Sequence, residues 1–432
     1  MDKVKGFRDI FPEDMEVRER VFSESDRWAI AFGFKRIDFP SVEFLDLYKL
    51  KSGEELVGQS FSFKDKNGRD ITLIPEATPT VSRMLASRKE LPKPVKWYSI
   101  GKFWRYEDPQ SGRQREFYQF NADIFGPNSA EADAEVIMLA TKILDGLGLE
   151  SKYEMRVNSR KLMQKLLENL GVKEPVRAFQ IIDRFRKITV DDFVEEISPL
   201  LAGSSDVAML VDILSKPVNP DKLSKLSSSR KDLFSGAEDE IARISRTVRD
   251  CSSVTKSRVL IDFSVIRGLT YYTGIVFEAF DAMGESRSIL GGGRYDGLMS
   301  LLSGESIPAV GFAMGDVTLE LTMRKNNTWN VPVKKPSIYL CKAPDAEDPE
   351  LPGIAMQIRY RGISCSTDLY SRSLASQLRD ASRAGCGYAL IRGAREIKER
   401  KISVKNLGSG NQRSIGLDSL NEFLDIIVSL VV

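Results

Sequence analysis

The stretch YSIGKFWRYEDPQSGRQREFYQFNADIFG, residues 98–126, reads as two β-strands joined by a polar loop that contains Pro109, Ser111 and Gly112. It is expected to form a long antiparallel hairpin. Side chains two apart share one face of a strand. Phe103, Arg105 and Glu107 therefore line one arm, and Phe117, Gln119, Asn121 and Asp123 line the other. The opposite face of the second arm, Tyr118, Phe120, Ala122 and Ile124, is apolar and is expected to pack inward. Taken alone, a polar hairpin face fits solvated surface as well as it fits a site. Here Arg113 and Arg115 crowd the glycine-containing loop, and Phe117 stands alone among hydrogen-bonding groups. Guanidinium forks suit phosphate oxygens and an aromatic ring suits a base, so the hairpin points to a nucleotide.

Outward from the hairpin, 432 residues is more chain than one hydrophobic core usually serves. A mixed α/β block covers residues 1–159 and resumes at 254–325. The interruption, 160–253, reads as a helical insertion. Within it SRKLMQKLLENLGV (159–172) and AFQIIDRFRKITVDDFVEEISPLL (178–201) carry apolar residues at helical spacing, and Gly171 sits where a C-cap belongs. The polar SKPVNPDKLSKLSSSRKDLFSG (215–236) is expected to be loop. A Pro, Asn and Lys-rich stretch supplies a linker at 326–334. The last block, 335–432, alternates short β runs such as SIYLC and YALIRG with helical runs, which favours a small parallel sheet with helices on it.

Several classes of function are excluded early. No apolar run approaches the roughly 20 residues of a membrane span, and the opening MDKVKGFRDIFPEDMEVRER is too charged for a signal peptide. A cytoplasmic protein with no membrane partner is expected. Cys251, Cys341, Cys365 and Cys386 are scattered with no C-x-x-C pair, so they read as packing residues, with no disulfide framework and no metal site. With a net charge of +2, a nucleic acid would have to be met by a local patch. The chain contains no histidine. Ser-His-Asp hydrolysis, Cys-His proteolysis and histidine-ligated metals are thereby ruled out, and any chemistry must run on arginine, lysine, carboxylates, hydroxyls or the substrate's own groups.

A second stretch, IRGLTYYTGIVFEAF (266–280), places Arg267 beside a glycine and two adjacent tyrosines. A bare Tyr-Tyr pair is more often core packing than a site, but this pair lies between Gly268 and Gly274 directly after an arginine. The triple glycine 291–293 does not fit G-x-G-x-x-G, and reads as allowing close backbone approach near a substrate.

These residues carry a resemblance. FWRYEDPQSGRQREFYQ is similar to motif 2 of the class II aminoacyl-tRNA synthetases, and the match is strongest to the histidyl family. VKGFRDIFPEDM resembles that family's opening, FGFKRIDFP with Pro40 its motif 1, and PEATPTVSRML its amino-acid loop. RGLTYYTGIVFEAF and GGGRYDGL resemble its two histidine-specific segments, and ALIRGAREIKERKISVKNLGSG its anticodon-binding domain. Six short motifs in one order, with the tail after them, weigh far more than any one of them.

The resemblance implies an α+β catalytic core on an antiparallel sheet (the class II synthetase fold), a helical insertion and a C-terminal α/β anticodon-binding domain. It implies ATP-dependent ligation of histidine to tRNA through a histidyl-adenylate, by a homodimer using ATP with Mg2+. Arg105 and Arg267 would serve the α-phosphate and carboxylate, Arg113 the β- and γ-phosphates, and Phe117 and Glu107 the adenine. Asp123, Tyr271, Tyr272 and Tyr295 would surround the imidazole, with Glu76, Thr78 and Gln119 toward the amino-acid head group. Imidazole has one donor and one acceptor nitrogen to satisfy, and a carboxylate at Asp123 can accept the ring proton. Arg392, Arg395, Lys398, Arg400 and Lys401 would contact tRNA phosphates.

Two departures stand out. Motif 3 of the family ends Gly-x-Glu-Arg, whereas Asp316, Val317 and Thr318 follow Gly315 here, which puts a γ-phosphate contact in question. Ile74 stands where an arginine commonly precedes the Pro-Glu pair. The competing reading is a catalytically inactive relative, either a regulatory subunit or a sensor of tRNA. Thr318 favours it, while the intact histidine segments and the C-terminal domain oppose it.

Overall fold

The computed structural model describes residues 2–88, 90–201, 203–267, 271–283, 288–330, 337–344 and 346–429, leaving aside the side chains of 50–56, 204 and 303. The chain divides into two units, Met1–Asn330 and Val331–Val432.

The strands of the first unit are β1 (Lys35–Arg36), β2 (Val42–Phe44), β3 (Ser62–Lys64), β4 (Asp70–Leu73), β5 (Val95–Trp104), β6 (Glu116–Phe125), β7 (Tyr153–Ser159), β8 (Arg258–Ile261), β9 (Ile275–Asp281), β10 (Leu290–Arg294) and β11 (Ala309–Gly315). Among the described residues, eight of them form one sheet in the order β1-β5-β6-β11-β10-β9-β7-β8, while β2, β4 and β3 form a small sheet. The six interior strands of the large sheet pair antiparallel. Only the edge strands β1 and β8 run parallel to their neighbours.

The expected hairpin is β5–β6, with Val95 opposite Phe125 and Trp104 opposite Glu116. Because β5 ends at Trp104, Arg105 and Glu107 lie in the connecting loop and not on the paired strand. Phe120, Ala122 and Ile124 are buried as expected. They pack with helices α1 (Pro12–Ala31) and α4 (Ala130–Leu144) in the main core; α2 (Leu45–Gly58) and α3 (Thr78–Ala86) lie between these two in the chain. One sheet face is thus sealed by helices, and the other carries Gln119, Asn121 and Asp123.

Between β7 and β8 run α5 (Arg160–Asn169), α6 (Pro175–Asp183), α7 (Val190–Ile197), α8 (Ser204–Ser215), α9 (Pro220–Ser229) and α10 (Glu238–Ser252). Gly171 follows α5 at φ +73°, the left-handed geometry that ends a helix. The run 178–201 is two helices, because Thr189 caps a new start by accepting from the Asp192 N–H. The stretch 215–236, expected to be loop, contains α9. Asn219 accepts from Lys222 N–H, Pro220 occupies the first turn, and Leu223 is buried beneath. An Asn-Pro helix start outweighed the polar composition. After β8 come α11 (Leu298–Ser303) and α12 (Asp316–Lys325). Residues 326–330 of the expected linker are held on the first unit, with the Trp329 indole donating to Asp14 at 3.1 Å and Arg20 donating to Thr328 O at 3.2 Å. Residues 331–336 lie outside the described residues.

The second unit has strands β12 (Ser337–Lys342), β13 (Ser364–Thr367), β14 (Tyr388–Arg392), β15 (Lys401–Asn406) and β16 (Gln412–Gly416), in the order β13-β12-β14-β15-β16. Its helices are α13 (Leu351–Tyr360), α14 (Leu374–Arg383), α15 (Ala394–Lys398) and α16 (Leu420–Ser429). The first three strands are parallel, as expected, but β15 and β16 are antiparallel. The sheet is therefore mixed. Only the short α15 turn separates β14 from β15, and a parallel crossover needs a dozen residues or more. Cys251, Cys341 and Cys386 are buried and none of the four cysteines is in a disulfide.

Candidate functional site

The face of the large sheet turned away from α1 and α4 has a floor made of glycine. Gly311 on β11 pairs with Asp123 on one side and with Gly293 of β10 on the other, so all three share a face. A β-carbon at 311 would run into the Asp123 carboxylate, one at 293 into the Tyr272 ring, and one at 291 into the Arg267 guanidinium. The glycines let these three side chains lie flat on the backbone. That is the close approach the triple glycine suggested.

Over this floor the Tyr295 hydroxyl donates to the Asp123 carboxylate. The Tyr271 ring packs edge-on to Tyr295 at 6.0 Å and against Tyr272 at 4.6 Å. Burial pushes the hydroxyl pKa of all three tyrosines upward, and the negative charge of Asp123 adds to this at Tyr295. They are neutral hydrogen-bonding groups at physiological pH. The buried Glu76 carboxylate acts electrostatically on Tyr271 and Tyr272 from the segment before α3, and Thr78 opens that helix. Arg267, at φ +59°, sits above Gly291 with its Nη1 3.3 Å from Glu278 and its guanidinium 5.8 Å from the Tyr272 ring centre. Gly268, which follows it, lies outside the described residues. Among the described residues Gln119 Oε1 is buried without a hydrogen-bond partner, an acceptor that suits a donor on a ligand.

The hairpin loop forms the other end of the site. Arg105 donates to Pro75 O at 2.9 Å and lies over the Phe117 ring, 5.5 Å from its centre. Phe117 is not a lone ring, because it stacks on the buried Phe103 at 6.1 Å. Arg113 pairs with Glu107 at 2.9 Å. Two groups expected to face a nucleotide therefore neutralise each other. Thr318 Oγ1 lies 3.5 Å from Gly112 O, so the substituted motif 3 position does border this loop.

Sequence reasoning missed the groups that hold the site from behind. Asp316 joins Arg8 and Arg18, each at 2.7 Å, and accepts from the Tyr118 N–H at 3.0 Å, which pins α12 to the hairpin and the N-terminal segment. Burial raises its pKa and the two arginines oppose that. Buried Asp133 of α4 joins Arg294, beside Tyr295, and Arg243 of α10. Arg294 lies inside the quoted GGGRYDGL together with one partner, Asp296 at 3.1 Å, but Asp133 is more than a hundred residues away and no local signal names it.

The tail departs from expectation at Arg392. Its side chain is fully buried, bonded to Asp348 at 2.7 and 2.9 Å and to Glu350 at 2.8 Å, so it cannot reach a phosphate. Arg395 and Lys401 both pair with Glu399, and Arg400 lies 3.6 Å from Glu350. Lys398 has no ion pair among the described residues.

The chain matches known proteins along nearly its whole length. The family model described as histidyl-tRNA synthetase matches residues 6–318, and that of the anticodon binding domain matches 333–426. The chain is 46% identical to the histidine–tRNA ligase of Thermoplasma volcanium over 98% of both chains. It is 45% identical to that of Picrophilus torridus over 97% of this chain and 98% of the other. The crystal structure of histidyl-tRNA synthetase from Nostoc sp. shares the fold, with a TM-score of 0.84 at 23% identity over 98% of this chain and 99% of that one. So does a structure from Bacillus halodurans described as an ATP phosphoribosyltransferase regulatory subunit/histidyl-tRNA synthetase, with a TM-score of 0.74 at 20% identity over 91% and 98%. From the glycine-floored pocket, the hairpin and these matches along nearly all its length, the chain belongs to the histidyl-tRNA synthetase family.

Proposed function

We propose that this chain ligates histidine to its tRNA in two steps, and that its core has the class II synthetase architecture in a homodimer. The carrying observation is the buried Asp123–Tyr295 pair, ringed by Tyr271 and Tyr272 on a backbone floor. Asp123 accepts the imidazole proton and a tyrosine hydroxyl serves the other ring nitrogen. Glu76 takes the ammonium, with Thr78 beside it, and Gln119 Oε1 gains its missing partner from the same head group.

The substrate carboxylate is already an anion and needs no enzyme base. It attacks the α-phosphorus of ATP, the bond to the β-phosphate oxygen breaks, and pyrophosphate leaves. Arg105 and Arg267 hold the carboxylate and α-phosphate in line and offset the developing charge. They remain protonated throughout. Arg113 exchanges Glu107 for the β- and γ-phosphates, which frees Glu107 for the adenine amino edge, and Phe117 stacks on the base. Mg2+ enters with ATP as part of the substrate; among the described residues no cluster of three His, Cys, Asp or Glu offers a separate metal site. A ribose hydroxyl at the tRNA terminus then attacks the histidyl carbonyl, and AMP leaves. In the tail, Arg395, Lys398, Arg400 and Lys401 are exposed cations available to RNA phosphates. No helix among the described residues is long and apolar enough to cross a membrane.

Pyrophosphate exchange into ATP, run with each amino acid separately and without tRNA, tests the activation step. Exchange with histidine alone is expected. Absence of exchange from protein that still binds histidine would replace this reading with a regulatory or sensing relative, the reading that Thr318 favours.

A further inference from the structure

Three features converge on the Arg267 guanidinium. The backbone at Arg267 is left-handed, its Nη1 occupies the space a side chain at 291 would fill, and Glu278 Oε1 lies 3.3 Å from that nitrogen. Glu278 is also the cross-strand partner of Gly291, so the carboxylate and the gap share one register position on the same face of the sheet. Neither side chain is more than about a quarter exposed, at 21% for Arg267 and 22% for Glu278. Lys187 and Asp183, from the end of α6 and the turn beyond it, face the pair and oppose each other in charge, and they are themselves paired at 3.0 Å. Arg156 stands opposite Glu278 on β7, but its guanidinium is committed to Glu154 and Asp262.

A carboxylate beside an arginine that must receive two anions looks counterproductive, since it offsets part of the charge. Its value lies in direction. An arginine has five donors and a flexible stem, and a buried one without a counter-charge is costly. Among the described residues the ion pair engages a single Nη, leaving the rest of the fork for the substrate. We propose that Glu278 is a positioning residue for the activation step, holding Arg267 in the gap above Gly291 so that its remaining donors meet the reacting carboxylate and α-phosphate. This rests on the reading of Arg267 given above.

The test is a double-mutant cycle in pyrophosphate exchange with full-length protein, using Glu278→Gln, Arg267→Lys and the pair. The control is binding of histidinol, which keeps the ring and ammonium but lacks the carboxylate. Glu278→Gln is expected to lower kcat at least tenfold with histidinol affinity within threefold of the parent. The double variant should be no slower than Arg267→Lys, and Glu278→Asp should recover part of the rate. An unchanged rate in Glu278→Gln, or losses that multiply in the double variant, would overturn the inference while leaving Arg267 in place. Full exchange by Arg267→Lys would overturn the reading of Arg267 and the inference with it. Should Glu278→Gln fail to fold, Gly291→Ala reads the same contact, and an undiminished rate there overturns the proposal too.

Discussion

The tripeptide Ile-Arg-Gly occurs at 266–268 and again at 391–393, and the two arginines have opposite fates. Among the described residues Arg267 meets one carboxylate, at 3.3 Å. Arg392 meets Asp348 twice and Glu350 once, and also donates to Lys401 O at 2.8 Å. The first has donors to spare for a substrate, and the second has been absorbed into the architecture of its unit. Residue type and immediate neighbours do not distinguish them. The number of acceptors that tertiary structure delivers does.

The sharpest way to break this contrast is to remove each guanidinium. Arg267→Ala should cost roughly 2.7–4 kcal/mol of transition-state stabilisation, read as a loss of about 10²–10³ in kcat for pyrophosphate exchange, with a smaller loss of stability than the Arg392 variant because only the partly exposed Glu278 is left unpaired. Arg392→Ala should do the reverse. It strands the buried Asp348 carboxylate, leaves Glu350 with Arg400, and should destabilise the second unit by about 3–5 kcal/mol in denaturant unfolding, with histidine activation intact. Parallel behaviour of the two variants would erase the distinction.

Smaller effects sharpen it. Tyr295→Phe removes a hydrogen bond to a charged group, worth about 1.5–3 kcal/mol. A rise of about ten- to a hundredfold in the KM for histidine is expected, with the KM for ATP unchanged. In Gly311→Ala a methyl group displaces Asp123, and at least a tenfold loss in kcat/KM for histidine should appear in the same assay. The smallest effect belongs to the exposed tail cations. Lys398→Ala should raise the KM for tRNA only a few-fold and flatten the dependence of log affinity on log salt by about 0.7–0.9 for each phosphate it leaves unneutralised. A salt-independent change would mean that Lys398 neutralises no phosphate.

What was legible in the sequence was local. Period-two alternation and a Pro-Ser-Gly loop announce the β5–β6 hairpin, because strand faces and turn conformations are set within a few residues. The tyrosine pair and the triple glycine could be read together for the same reason. The helix α9 was equally local, and its Asn219-Pro220 start was masked by composition. The rest needed register. Glu278 matters because β9 sets it opposite Gly291, Gly311 because β6 sets Asp123 beside it, and Arg392 is lost to RNA because Asp348 and Glu350 arrive from more than forty residues away. The Asp133 link between Arg294 and Arg243 is of the same kind.

The glycine floor also bears on how this pocket can evolve. A binding site lined by side chains can be reshaped one substitution at a time, since every wall residue has smaller and larger alternatives. A floor of bare backbone has no smaller alternative, and at 291, 293 and 311 every larger one collides with Arg267, Tyr272 or Asp123. The accessible mutational neighbourhood of the floor is therefore almost empty. Drift toward another amino acid would have to begin in the tyrosine walls, with the depth of the pocket inherited unchanged.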